Sequence, residues 1–191
     1  MSYDKQTVNV LVLELATMVV AVAIAFSATL LTVFSFRTIL FFVFATVLVI
    51  WFWWGYVMDR LEFPPRSQRF PLMDVLVLVL ISLIPFALRQ AGISPLSATL
   101  AAILIAWALV IRGIIHEYAP SANLDRMRVL ELEVDQRLAA AAILIVSALV
   151  GVISDTLGVY LLVVSGVVAV GWNVAASRNF RPRRQDSGVH P

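Results

Sequence analysis

The run from Val8 to Phe34 constrains this chain more than any other stretch. It is hydrophobic, of helix length, and long enough to cross a bilayer, which takes roughly 20 mostly apolar residues at a rise of about 1.5 Å each. Inside it stands one carboxylate, Glu14. That residue falls about two turns beyond Thr7, or roughly 10 Å along the helix axis. An ionisable group at the centre of a membrane helix costs roughly 2.5–3.5 kcal/mol, less near the ends, unless it faces water or protein. The first helix is therefore expected to turn its Glu14 face away from lipid.

Similar runs recur along the chain. Of its 191 residues 61% are hydrophobic and 14% charged, against about 45–50% and about 25% in a soluble domain. Because the excess is spread over several long runs, the expected fold class is all-α, a polytopic membrane protein with six transmembrane helices. The absence of cysteine excludes disulfides, thiolate catalysis and Cys-ligated metal sites. A net charge of +2 is too small to point to nucleic acid. The first run does not suit a cleaved signal peptide. Its apolar part is too long, and Met1 to Thr7 sets only Lys5 against Asp4.

Helix 1 is expected from Thr7 to Phe34 and helix 2 from Thr38 to Asp59, with a short turn at Ser35, Phe36 and Arg37 between them. Helix 2 closes on Trp51, Phe52, Trp53, Trp54 and Tyr56, rings that favour the headgroup level. Arg60 to Pro71, with three prolines and three arginines, reads as a polar connecting loop. Helix 3 spans Leu72 to Gln90 and should kink at Pro85. After a turn at Gly92 to Ser94, helix 4 runs from Pro95 to Glu117, and Ala119 to Asn123 breaks the pattern. Charges interleave with apolar residues from Leu124, which reads as an amphipathic lead-in lying at the interface or extending into the cytosol. Helix 5 proper covers Arg137 to Ile153 and helix 6 Leu157 to Ala176. The expected organisation is a transmembrane domain over 1–177 and a polar, disordered tail over 178–191.

Six spans put both termini on one side. Lys5, Arg60, Arg66, Arg69, Arg126, Arg128, Arg137, Arg178, Arg181, Arg183 and Arg184 would lie there, with Arg112 close by. The opposite loops hold only Arg37 and Arg89. That asymmetry makes the expected location the cell membrane with cytoplasmic termini.

Steps of three and four residues put Glu14, Met18, Val22, Phe26 and Thr29 on one stripe of helix 1. A carboxylate, then apolar rungs, then a hydroxyl suits a narrow pore gated by dewetting. Ordinary bundle packing or lipid contact would use the same residues. Glu14 reads either as a vestibule carboxylate or as the partner of a neighbouring helix's polar side chain. Asp74 and Asp155 read as interfacial caps or solvated helix ends. Arg112, His116 and Glu117 suit helix termination, where basic groups complement the dipole. With His190 the only other histidine, no metal site is expected. Small residues at Ala139 to Ala142, Ser147, Gly151, Gly158, Ser165, Gly166 and Gly171 form a packing seam between helices or subunits. No nucleophile–base pair, phosphate-binding loop or zinc motif is present, so neither an enzyme nor a cofactor is expected.

The arrangement resembles prokaryotic members of the transmembrane protein 175 family of potassium channels. Those are six-helix subunits whose first helix begins with a Phe-Ser-Asp motif and a Val-Phe-Ala-Ile-Ala-Ile-type run. Val19-Val20-Ala21-Val22-Ala23-Ile24 looks like that run, and Leu15, Ala16 and Thr17 occupy the Phe-Ser-Asp positions. The tryptophans closing helix 2, and Ile81-Ser82-Leu83-Ile84-Pro85-Phe86 in helix 3, look similar too. The resemblance implies a homo-oligomer, a tetramer, that passes a monovalent cation, with pore-lining Val22, Phe26 and Thr29 and a vestibule at Glu14 and Met18. A weaker likeness is to the low-temperature-requirement A family, whose Glu-Leu-Phe-Phe-Asp motif is matched by Glu14-Leu15, with Met18 at the Asp position. The contrasting expectation is a non-conducting membrane scaffold or small-ligand-binding protein of the same fold.

Overall fold

The computed structural model describes residues 5–29, 36–63, 70–90, 92–118 and 124–179. Their regular structure is all helical: α1 (Lys5–Ala28), α2 (Phe36–Glu62), α3 (Phe70–Ser82), α4 (Ile84–Arg89), α5 (Ser94–Tyr118), α6 (Leu124–Ile153) and α7 (Asp155–Asn179). Among the described residues three helices are long and apolar enough to cross a membrane: Thr38–Glu62, Ser94–Tyr118 and Arg126–Ile153. Shorter apolar stretches, Glu14–Ala28 and Asp155–Ala169, lie within α1 and α7. The expected tail beyond Asn179, the prolines and arginines of 64–69, and the break at 119–123 lie outside the described residues.

The core is built around α5, which buries residues on more than one face, from Leu96 and Leu100 to Trp107, Ile111 and Ile114. α6 packs along it and α7 along α6, while α3 and α4 take the other side and α1 lies on α2 and α3. α2 reaches α5 and α6 through long side chains instead of close backbone approach. The exterior is apolar: Trp51, Trp54, Ile153, Tyr160 and Val167 are all exposed. Such a surface is compatible with a hydrocarbon solvent, and large for a soluble monomer.

Several boundaries differ from the sequence expectation for identifiable reasons. α1 is described to Ala28, where both the backbone N–H and the hydroxyl of Thr29 donate to the Phe26 carbonyl and close a turn. The expected continuation to Phe34 falls within residues 30–35, which lie outside the described residues. α2 continues through Asp59 to Glu62, so Arg60 belongs to a helix and not to a loop. Leu83 divides the third span. Its N–H turns back to the Leu80 carbonyl, the Ser82 hydroxyl donates to the Val79 carbonyl at 2.7 Å, and Pro85 falls in the first turn of α4. A proline tolerated at a helix start thus produces a break just before itself. The lead-in from Leu124 is no separate interfacial segment, since α6 is continuous to Ile153. At about 1.5 Å per residue α6 is roughly 45 Å long, so it outruns a hydrocarbon core of about 30 Å.

The small-residue seam is close-packed in part. A Cβ on Gly158 would sit 2.5 Å from Ile93 Cγ2 and 2.9 Å from Gly151 Cα, so α6 and α7 approach there because neither carries a side chain. Ser147 donates to the Gly158 carbonyl at 2.8 Å and lies 2.8 Å from the Ser97 hydroxyl, tying α5, α6 and α7 together. Gly166 and Gly171 instead face open space.

Candidate functional site

α1 has two unlike faces. Ala16, Val20, Ala23 and Ser27 are buried against the bundle, and the Ser27 hydroxyl is satisfied by the Ala23 carbonyl at 2.9 Å. Glu14, Met18, Val22, Phe26 and Thr29 are exposed. The stripe drawn from the spacing is therefore one continuous outward surface. Met18 is 67% exposed, Val22 50% and Phe26 41%, so burial decreases the exposure only toward the Thr29 end. There the Phe26 ring meets the Phe86 ring of α4 at a centroid distance of 4.8 Å. The Thr29 hydroxyl spends its proton on the Phe26 carbonyl, leaving its oxygen lone pairs as acceptors. Glu14 makes no ion pair among the described residues. It lines a shallow apolar depression with Val10, Thr17, Met18 and Ala21.

The densest polar chemistry lies elsewhere, around the last turn of α2. Arg60 and Asp74 form a buried pair, with side chains 1% and 2% exposed. Arg60 Nε donates to Asp74 Oδ1 at 3.0 Å and a terminal nitrogen donates to the same oxygen at 2.5 Å. The other terminal nitrogen reaches the Phe63 carbonyl at 3.4 Å. Asp74 is thus no solvated helix end. It is the buried counter-charge that lets α2 and α3 meet. The contacts through Oδ1 offset the desolvation of both charges, while Asp74 Oδ2 is buried without a hydrogen-bond partner.

One residue earlier, Asp59 faces the opposite way, toward α5 and α6. Its Oδ2 accepts from the Trp107 indole N–H at 2.8 Å and lies 4.0 Å from Arg137. Arg137 also donates to Glu133 Oε2 at 3.1 Å, one turn back on its own helix, and its guanidinium sits 4.5 Å over the Trp107 ring. Trp107 spans the gap from α5 to α2 because Gly55 makes room: a Cβ there would lie 2.5 Å from Trp107 Cη2. Farther out, Arg126 of α6 pairs with Glu62 through two hydrogen bonds, and its guanidinium lies 5.7 Å over the Phe63 ring. Asp59, Arg60 and Glu62 of α2 thus clamp α3, α5 and α6 at one end of the bundle.

Sequence reasoning missed this clamp. It placed Arg60 at the start of a polar connecting loop on the cytoplasmic side and Arg137 at the start of a helix. The Glu133–Arg137 spacing of four was a readable signal, whereas nothing local announced that Arg60 would meet Asp74. Arg112 and His116 are exposed near the end of α5, with Arg112 in a cleft also lined by Glu131 and Asp135. Asp155 opens α7 and accepts the Ile93 N–H at 3.1 Å, joining two turns at the other end of the bundle. Among the described residues no group of three His, Asp or Glu side chains could hold a metal ion.

Behind the clamp, a groove of about 370 Å³ separates α2 from α6 and α7. Its walls are mostly apolar and aromatic, with Gln136, Arg137 and Trp107 toward the clamp. Comparison with family models, with curated proteins and with solved structures found no match for this chain.

Proposed function

We propose that this chain is a six-span membrane protein of the cell membrane that assembles with copies of itself, α1 of each copy facing a shared axis that passes a monovalent cation. The observation that carries this reading is the outward Glu14 face of α1. In a bilayer an outward carboxylate between apolar rungs is costly if it meets acyl chains. A common axis removes that cost by giving Glu14 water, and leaves Val22 and Phe26 as the narrow rungs beyond it. In this arrangement Glu14 and Met18 form the vestibule, Val22 and Phe26 the constriction, and Thr29 the far ring, four copies being the number implied by the family resemblance. The charged clamp end, with Arg60, Arg112, Arg126, Arg128 and Arg137, is the cytoplasmic end by the positive-inside rule.

A potassium flux assay on reconstituted liposomes tests it. Flux is expected, reduced by Glu14→Gln and altered by Val22→Ala and Phe26→Ala. An absence of flux, or flux indifferent to all three substitutions, overturns the proposal. The tilted Phe26–Phe86 ring contact within one chain favours a second reading, a non-conducting scaffold in which α1 only packs. That reading requires a monomer or dimer by native mass spectrometry.

A further inference from the structure

The groove between α2 and the α6–α7 pair is graded in polarity along its length. Phe44, Leu100, Leu144 and Leu162 line one end, and Trp107 with Arg137 lines the other. The chain directions agree with this gradient: the Gln136 amide donates to the Ala169 carbonyl at 2.7 Å, placing that part of α7 beside the polar end. From Phe44 to Phe52 the α2 wall is about 12 Å long, comparable with a hydrocarbon leaflet of about 15 Å. Among the described residues none of α1 lines the groove, which sets it apart from the proposed α1 axis.

Charge narrows the occupant. Arg137 sits between two carboxylates, Glu133 at 3.1 Å and Asp59 at 4.0 Å. The remaining nearby pair, Arg126 with Glu62, is neutral as a unit. The polar end therefore presents the Arg137 guanidinium, and the two carboxylates that hold it, Glu133 and Asp59, lie just behind the groove lining. A phosphate alone would meet an excess of negative charge. A phosphate followed by a primary ammonium meets both signs, phosphate toward Arg137 and ammonium toward Asp59 and Glu133.

We propose that the groove binds one membrane phospholipid with a zwitterionic, primary-ammonium headgroup, one of its two acyl chains lying between α2 and α7 and its head at the Asp59–Arg137–Glu133 cluster. An ethanolamine head has N–H donors for the carboxylates. A choline head has none, and a glycerol head leaves the lipid anionic.

The test is native mass spectrometry of the full chain released from micelles with added phosphatidylethanolamine, phosphatidylcholine or phosphatidylglycerol. One phosphatidylethanolamine per chain should be retained, about tenfold or more over phosphatidylglycerol, since like-charge juxtaposition disfavours the latter. Gly166→Leu should abolish retention, because Gly166 lines the groove and has open space before it, so the new side chain enters without a clash. Gly171→Leu, also into open space but outside the groove, should leave retention unchanged. Equal retention of the three lipids by the unmodified chain overturns the proposal without recourse to any variant. So does retention that survives Gly166→Leu. A Gly166→Leu protein that loses its oligomeric state while keeping its lipid would assign the groove to a second copy, which overturns it as well.

Discussion

Asp74→Ala is the most informative single perturbation of the fold. It removes the acceptor of two Arg60 hydrogen bonds, at 3.0 and 2.5 Å, and leaves a guanidinium that is 1% exposed without its counter-charge. Unit charges about 4 Å apart at an effective dielectric of about 20 attract by about 4 kcal/mol. Removing one member of a buried pair typically costs about 3–5 kcal/mol. The expected loss is therefore about 3–5 kcal/mol. The Arg126–Glu62 pair is an internal control, because its side chains are 37% and 47% exposed. Glu62→Ala should cost only about 0–1 kcal/mol. The combined change Arg60→Met with Asp74→Leu should recover most of the loss, since a well-packed apolar replacement removes both desolvated charges together. Unfolding in mixed micelles, followed by tryptophan emission and far-ultraviolet circular dichroism, reads all three. If Asp74→Ala stays within about 1 kcal/mol of the parent, as for an exposed pair, or if the double variant is as unstable as the single one, the Arg60–Asp74 pair is not a buried charge pair on which the fold depends.

Gly55→Ala places a methyl where Trp107 Cη2 now lies 2.5 Å away; overpacking of this kind should cost about 1–3 kcal/mol, with a shift in tryptophan emission as the indole leaves Asp59. Ser147→Ala removes the hydroxyl joining Ser97 to the Gly158 carbonyl, for a loss of about 0.6–1.7 kcal/mol, the range of interhelical hydrogen bonds in membrane bundles. Thr29→Val deletes the hydroxyl donated to the Phe26 carbonyl and should lower the protection of backbone amides near the end of α1 in hydrogen exchange, while leaving those of α5 unchanged.

The helices themselves were legible because hydrophobic run length needs no tertiary information. Every expected apolar run has a helical counterpart among the described residues, three of them long and apolar enough to cross a membrane, and Pro85 marked a break whose position, at Leu83, follows from the backbone groups nearby. The outward stripe on α1 was legible for the same reason: helical spacing puts positions 14, 18, 22, 26 and 29 on one face whatever the face meets. The charged clamp was not. Arg60 and Asp74 stand on different helices, and Asp59 and Trp107 are separated by two intervening helices. Pairings at that separation are chosen by how helices dock, which residue spacing within one helix does not encode.

Composition and periodicity alone made this chain a set of long apolar helices and put a carboxylate on one face of the first. Apolar length and a 3.6-residue repeat are properties of neighbouring residues along the chain. Which arginines and aspartates would disappear into the bundle was decided only when α2, α3, α5 and α6 came together. Buried charges survive where an opposite charge reaches them, and that partner is supplied by docking.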